Sequence, residues 1–556
     1  MKPALFYAGA TIRTKAGLHV GTFCVVDVVP RPDFGRQEVD ILEGLAAQAA
    51  AYLEERAVLR RPPNLQLLQR VQQRSTQNAP ADEDVDVVVL GAGPAGTTAA
   101  CRLSFQGLRV ALVEPKEQFG SPTGVNSKVL REVALECGAD TTWDRVRDIR
   151  DLIAAQDSAR VATQLARYGV TLVPGRGAIE SVSDQGDVIQ VGVTNASGSR
   201  TTLTTRATVV STGSKARRLE GIPFDVPGFY DSDSINGLRE KPDSLLIQGT
   251  GVIALEYATI FAKMGVQVTV VSRRPKEALL PNLDRSLQSA LLTALDDMGV
   301  EMLYACTVQE WGAEDGRPHV TLALPSGLVS RRVDAVLSAV GRVPVMNELG
   351  LERLLGESTQ AHTPTLEPDS RHRLDAGGAS VYAVGDVSGT GLACRAVVQA
   401  QQVVDDVLGQ LVHDASYSDP VSRTGASKVG TASVIWAIPE LAFVGDTEQE
   451  AKERYGEGSI FTVVSSFSET VRGSLSGVSD RAFLKLVCLR QDGRIVGVHI
   501  YGDGASELVH LAASLVANNE TVFTLQYRTF PAVTLHEVYR NAALQAIDVL
   551  SALSRT

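Results

Sequence analysis

Twice along this chain a short apolar strand runs into a glycine turn and out into a helix, and that repeated unit constrains the fold more than any other feature. The first copy is Val85–Leu90, then Gly91-Ala92-Gly93-Pro94-Ala95-Gly96, then a helix-forming run. The second is Leu245–Gln248, then Gly249-Thr250-Gly251-Val252-Ile253-Ala254, then a helix reaching about Met264. In such a turn the first glycine makes the bend and the second admits backbone N–H groups to a pyrophosphate. The third small residue lets the helix close on the strand, so that its positive end faces the phosphates. A further strand follows each copy, Arg109–Val113 and Val266–Val271. The first ends on Glu114-Pro115, where a carboxylate is placed to accept both hydroxyls of an adenosine ribose. The second ends on Ser272-Arg273-Arg274 in the same register. A hydroxyl and two guanidinium groups suit a 2′-phosphate that a carboxylate would repel, so the second site is expected to favour NADP(H) over NAD(H).

Apolar strands alternate with helical patterns through both blocks, as in doubly wound α/β domains. The chain of 556 residues is too long for one core. A net charge of −11, from 53 basic and 64 acidic residues, argues against nucleic acid or an anionic membrane as partner. No run approaches the ~18 apolar residues of a membrane span. The opening MKPALFYAGA breaks at once into Thr11-Ile12-Arg13-Thr14-Lys15 and reads as a strand, not an export signal. Cys24, Cys101, Cys137, Cys306, Cys394 and Cys488 show no C-x-x-C pair and no metal spacing. They read as buried free thiols of a reducing cytoplasm, and no metal site is expected.

At the N-terminus, strands at Phe6–Ile12 and Gly21–Val29 flank a turn at Ala16-Gly17, Pro30–Asp33 closes the sheet, and Glu38–Leu59 is an amphipathic helix. This piece resembles the C-terminal half of a GAF domain, without the half that lines a ligand pocket. It reads as a packing or dimerising appendage. A polar stretch from Arg60 through a Gln/Asn-rich run to Glu83 reads as a linker. The last block has strands at Ser433–Trp436, Ala482–Cys488 and Ile495–Tyr501, followed by helices.

Two glycine turns with the second nested inside the first domain resemble the pyridine nucleotide–disulfide oxidoreductase family. So do Ser211-Thr212-Gly213-Ser214, where backbone meets the flavin, and Gly341-Arg342-Val343-Pro344, which closes the nucleotide domain. Tyr382-Ala383-Val384-Gly385-Asp386 resembles the motif whose Asp binds ribityl hydroxyls. A helix beginning near Leu392-Ala393 would aim its N-terminus at the isoalloxazine. Ile438–Gly445 and Phe483–Leu486 are similar to the family's dimerisation domain. The resemblance implies FAD and NAD(P)(H) as cofactors, and a homodimer. It implies two nested Rossmann-like domains, 84–240 with 345–420 for FAD and 241–344 for NAD(P). An α+β dimerisation domain at 421–556 follows, preceded by the GAF-like module at 1–58 and the linker at 59–83. Within the family, Tyr230–Ile235 and Ile253–Phe261 look most like the soluble, Si-specific NAD(P)+ transhydrogenase branch.

The chain departs from the family where the dithiol belongs. Phe119–Lys128 keeps the terminal Ser127-Lys128 but is shorter and holds no cysteine. Near the C-terminus the family's base position is Ala532, and His536 is out of register by four. Both halves of the thiol machinery are missing together, so hydride transfer remains. The resemblance places Lys128 and Glu256 as an ion pair beside flavin N5, where a cation stabilises reduced flavin. The expected activity passes hydride from NAD(P)H to flavin N5 and on to NAD(P)+, with a quinone, metal ion, oxygen or other small acceptor as the alternative. A flavin redox sensor coupled to the GAF-like piece is the third reading, disfavoured by two complete nucleotide turns.

Overall fold

A computed structural model describes residues 6–13, 19–27, 36, 39–40, 43, 46, 84–116, 119, 122–351, 365–411, 431–475 and 480–553. The chain divides into two units, Met1–Ala79 and Pro80–Thr556. In the first, Phe6–Arg13 pairs antiparallel with His19–Asp27, close to the strands expected at Phe6–Ile12 and Gly21–Val29. Arg36, Val39, Asp40, Glu43 and Ala46 are helical and Ala46 is buried. The rest of the expected Glu38–Leu59 helix and all of the 59–83 linker lie outside the described residues.

The helices that matter in the second unit are, in chain order, α1 (Pro94–Phe105), α2 (Pro122–Cys137), α3 (Trp143–Arg167), α4 (Val252–Lys263), α5 (Arg285–Asp297), α6 (Ala393–Leu411), α7 (Glu448–Tyr455), α8 (Ala505–Ala517) and α9 (Glu537–Leu553). The first sheet is parallel, with strands in the spatial order Ser380–Ala383, Ala207–Val210, Val87–Leu90, Val110–Glu114, Thr171–Pro174. The second repeats that plan as Phe229–Asp231, Ala335–Ser338, Ser244–Gln248, Gln267–Val271, Glu301–Leu303. Covered on both faces, their central strands have no polar side to show. Val87–Leu90 and Ala335–Ser338 are buried throughout. A three-stranded antiparallel sheet adjoins each block in sequence, Arg176–Val182 to Arg200–Thr205 and Thr307–Glu314 to Gly327–Arg332.

Where the chain leaves the first sheet for the second, and where it returns, the two crossings pair with each other. Ser214–Ala216 runs antiparallel to Arg342–Pro344. The last block is an antiparallel sheet ordered Ser433–Ile435, Leu441–Gly445, Ile495–Tyr501, Phe483–Leu489, Ile460–Ser466, with α8 and α9 packed on it. Two of those strands, Leu441–Gly445 and Ile460–Ser466, add to the three that the sequence suggests. The fold is thus α/β with two Rossmann-like parallel sheets and an α+β C-terminal block.

A buried charge cluster ties that block to the second sheet's layer. Lys485 Nζ lies 2.9 and 3.0 Å from the two Asp284 carboxylate oxygens and 2.7 Å from Glu448 Oε2. Asp284 also caps α5 by accepting from the Ser286 N–H at 2.9 Å. Burial pushes the Asp284 carboxyl up, but His499, Lys485 and the Glu448 N–H outweigh it and hold the group below the usual carboxylate range. Burial likewise pushes the His499 imidazole down, against the opposing pull of Asp284. Cys101, Cys306 and Cys488 are buried and Cys137 is half-buried, but Cys394 is exposed, contrary to expectation. It is the second residue of α6, whose inward stripe begins only at Ala396 and continues through Ala400, Val403 and Val407. Nothing is described of the Cys24 side chain.

Candidate active site

Both glycine turns have the shape that a diphosphate requires. Gly91 sits at φ +101°, and a Cβ there would lie 2.5 Å from the Ser211 carbonyl oxygen. At Gly96 a Cβ would lie 1.9 Å from the Gly91 carbonyl oxygen, so strand and helix touch through the missing side chain. At Gly93, between them, a Cβ would meet nothing within 4 Å. The first and third glycines are therefore demanded by protein contacts, and the second leaves open space at the start of α1. No side chain caps α1, leaving its first-turn N–H groups without a side-chain partner. The second turn matches point for point. Gly249 sits at φ +118° with a would-be Cβ 2.4 Å from the Ala339 carbonyl oxygen, Gly251 has nothing within 4 Å, and Ala254 is buried in the third place. Helix α4 also lacks a side-chain cap, and Val252 and Ile253 form its partly exposed first turn.

Glu114 ends its strand beside the first turn. Its Oε2 accepts from the Ala92 N–H at 2.7 Å and its Oε1 from the Lys116 N–H at 3.1 Å. Each oxygen keeps a lone pair for a ribose hydroxyl, and Pro115 is exposed. The Ser211–Ser214 segment lies across the turn: Ser211 Oγ donates to the Leu90 carbonyl at 2.8 Å, and Thr212 Oγ1 to the Val345 carbonyl at 2.6 Å. Gly213 accepts from the Val345 N–H. Asp386 follows Gly385, whose N–H donates to Gln399 of α6. Ser214 Oγ donates to Asp386 Oδ2 at 2.6 Å and accepts from Arg342 Nε at 2.8 Å, while Arg342 also binds Asp233 at 2.7 Å. Ala393 begins α6, which packs against Gly385–Ser388. Gly341, at φ +112°, precedes Arg342 at the return crossing.

At the second turn Arg273 and Arg274 are exposed, and neither makes an ion pair among the described residues. Ser272 is placed differently from the expectation. It is 1% exposed, and its hydroxyl donates to the Arg274 carbonyl at 2.9 Å and accepts from the Arg274 N–H at 3.1 Å. It shapes the turn from inside, leaving two guanidinium groups on the outside.

Lys128 and Glu256, 128 residues apart, meet at 3.0 Å between α2 and α4. The carboxylate is buried, and its other oxygen accepts from the Trp436 N–H at 2.8 Å. Lys128 Nζ also reaches Ser127 Oγ at 3.2 Å and lies 5.6 Å from the centre of the Trp436 ring. Beside Glu256, burial and that carboxylate push the Tyr257 phenol far above its ordinary pKa, so it stays neutral. One turn along α2, Arg131 binds Glu440 at 2.9 Å and the Ala437 carbonyl at 3.3 Å. Sequence reasoning singled out neither Arg131 nor Trp436. The one available signal was an aromatic just before the Ile438-Pro439-Glu440 motif. Near the C-terminus, Glu537 turns back to accept from the Val533 N–H, and His536 stacks on Tyr539 with ring centres 6.3 Å apart.

Comparisons with known proteins agree with this geometry. The family profile described as pyridine nucleotide-disulphide oxidoreductase matches residues 85–406, and the profile for that family's dimerisation domain matches residues 431–543. The soluble pyridine nucleotide transhydrogenase of Hahella chejuensis is 32% identical over 504 residues, covering 84% of this chain and 99% of the relative. Its namesake from Mycobacterium tuberculosis is 29% identical over 506 residues, covering 85% and 99%. Among solved structures, LpdA of Mycobacterium tuberculosis superposes with TM-score 0.71 at 23% identity, covering 83% of this chain and 99% of that one. A Cu(II) complex of the HOCl-induced flavoprotein disulfide reductase RclA of Escherichia coli gives 0.72 at 21% identity over the same shares. No described helix is long and apolar enough to cross a membrane.

Proposed function

The chain belongs to the pyridine nucleotide-disulphide oxidoreductase family, and from that premise we propose that it is a transhydrogenase-like enzyme that moves hydride between nicotinamide nucleotides through FAD, without a dithiol relay. FAD supplies the two-electron acceptor that lets donor and acceptor nucleotides bind in turn. The Gly91–Gly96 turn, Glu114 and Asp386 would hold its adenosine diphosphate and ribityl portions, and Gly249–Ala254 would hold the nicotinamide nucleotide. Arg273 and Arg274 would take a 2′-phosphate.

The observation that carries the reading is the intact Lys128–Glu256 pair joining α2 to α4, with no cysteine in the Phe119–Lys128 segment that leads into it. A fixed ammonium stabilises negative charge that develops beside it, and Glu256 keeps that ammonium oriented. Cys137 stands nine residues beyond Lys128 on α2, about 13 Å along the axis, too far for a thiol relay. The 431–543 region fits a homodimer of the family kind, and the relatives named as soluble fit a cytoplasmic enzyme.

The test is an anaerobic stopped-flow screen. Enzyme reduced with NADPH, before and after thiol alkylation, is mixed with NAD+, a quinone or oxygen. Fastest reoxidation by NAD+, unchanged by alkylation, is expected. Reoxidation by quinone or oxygen alone would make the chain a reductase or oxidase, and loss on alkylation would restore a thiol mechanism.

A further inference from the structure

We propose that Trp436 is the positioning residue of the Lys128 ammonium, holding it through the face of its indole while its backbone N–H holds Glu256; the inference rests on the proposed function. A lysine ammonium rides on a flexible four-carbon stem, so one ion pair does not fix its direction. Here three groups do. Glu256 Oε2 stands at 3.0 Å, Ser127 Oγ at 3.2 Å, and the Trp436 ring centre at 5.6 Å, within the range where a cation is drawn to an indole face. The Lys128 side chain is 36% exposed, so these groups orient it without enclosing it.

The indole is itself anchored. Arg131, three residues along the same helix and therefore on the same face, has its guanidinium 5.7 Å from the same ring centre. Arg131 is 3% exposed and held by Glu440 at 2.9 Å and by the Ala437 carbonyl, both in the loop that carries Trp436. That loop is pinned again where the Ile438 N–H donates to Thr259 Oγ1 of α4 at 3.1 Å. Trp436 thus belongs to the C-terminal block but completes a pair formed by two helices of other layers. Its amide takes the Glu256 oxygen that Lys128 leaves free, so one residue sets both members of the pair.

The experiment compares Trp436→Leu, Trp436→Phe and Lys128→Met as FAD-loaded enzymes, reading flavin midpoint potential as well as the rate of reduction by NADPH. Trp436→Leu keeps the backbone N–H and removes the ring. The expected result is a potential moved in the same, more negative direction as in Lys128→Met, with reduction about two- to tenfold slower and KM for NADPH little changed. Trp436→Phe, which keeps an aromatic face, should recover most of both. Lys128→Met moving the potential while Trp436→Leu does not would overturn the proposal and leave the proposed function standing. Lys128→Met moving neither quantity would show that the pair is not beside the flavin, and both readings would fall together. FAD content and melting temperature of each variant exclude simple unfolding as the cause of a shift.

Discussion

A methyl group added at Gly93 would meet no protein atom within 4 Å, whereas one at Gly96 would lie 1.9 Å from the Gly91 carbonyl oxygen. The contrast separates what the fold needs from what a ligand needs. Gly93 adopts φ −73° and ψ −177°, a conformation open to any residue, so alanine there carries no backbone strain. Alanine caps a helix less well than glycine by about 0.5–1 kcal/mol, and the stiffer unfolded chain offsets about 0.4–1 kcal/mol, so Gly93→Ala apoprotein should melt within about 0.5 kcal/mol of the parent. If the space is the seat of the pyrophosphate, the methyl overpacks it by about 1–3 kcal/mol, weakening FAD by about five- to 150-fold. Calorimetric titration of apoprotein with FAD and the flavin-to-protein absorbance ratio would measure this. Gly96→Ala should instead fail as apoprotein, since backbone would have to move. Gly251→Ala, with equally open space, should keep its FAD and lose NADPH. Wild-type FAD affinity in Gly93→Ala would refute the assignment of the turn, whatever the other variants do.

Replacing Arg273 and Arg274 together by alanine should weaken NADPH by at least about tenfold while NADH changes little, because a charge-assisted bond is worth about 1.5–3 kcal/mol; equal losses for both nucleotides in binding assays would leave the arginines as general anchors. Lys485→Met should destabilise the chain by about 3–5 kcal/mol, since Asp284 would stay buried without its cation. A calorimetric scan showing a loss below about 1 kcal/mol would mean that water reaches the cluster.

Much of the fold was legible because its signals are local. A strand, a glycine turn and a helix lie within some twenty residues, and each glycine's demand is met by atoms close in space for steric reasons the motif already implies. The carboxylate at Glu114 and the guanidinium pair at Arg273 and Arg274 follow from the same register. The Lys128–Glu256 contact was reachable only through family likeness, because nothing in either helix announces a partner 128 residues away. What stayed hidden depends on how separate layers meet. Arg131 finds Glu440 across 309 residues, and Ser214 finds Asp386 across 172. The Ser272 hydroxyl reads as a ligand group in sequence, yet the turn folds over it. Cys394 reads as buried from its apolar, helical-looking surroundings, but the inward stripe of its helix starts two residues later.

The paired crossings, Ser214–Ala216 against Arg342–Pro344, bring the two ends of the intervening segment to adjacent strands about 5 Å apart. Everything between them therefore begins and ends at one place, as a cassette does. Exchanging that cassette for its counterpart from a relative would replace the nucleotide turn, Glu256 and the Arg273-Arg274 loop together, without altering the path of the chain around Gly91–Gly96. The natural seam for recombination, and for building chimeras with altered nucleotide preference, is this two-strand ribbon, provided that the Arg342–Ser214 and Arg342–Asp233 bonds are carried across it intact.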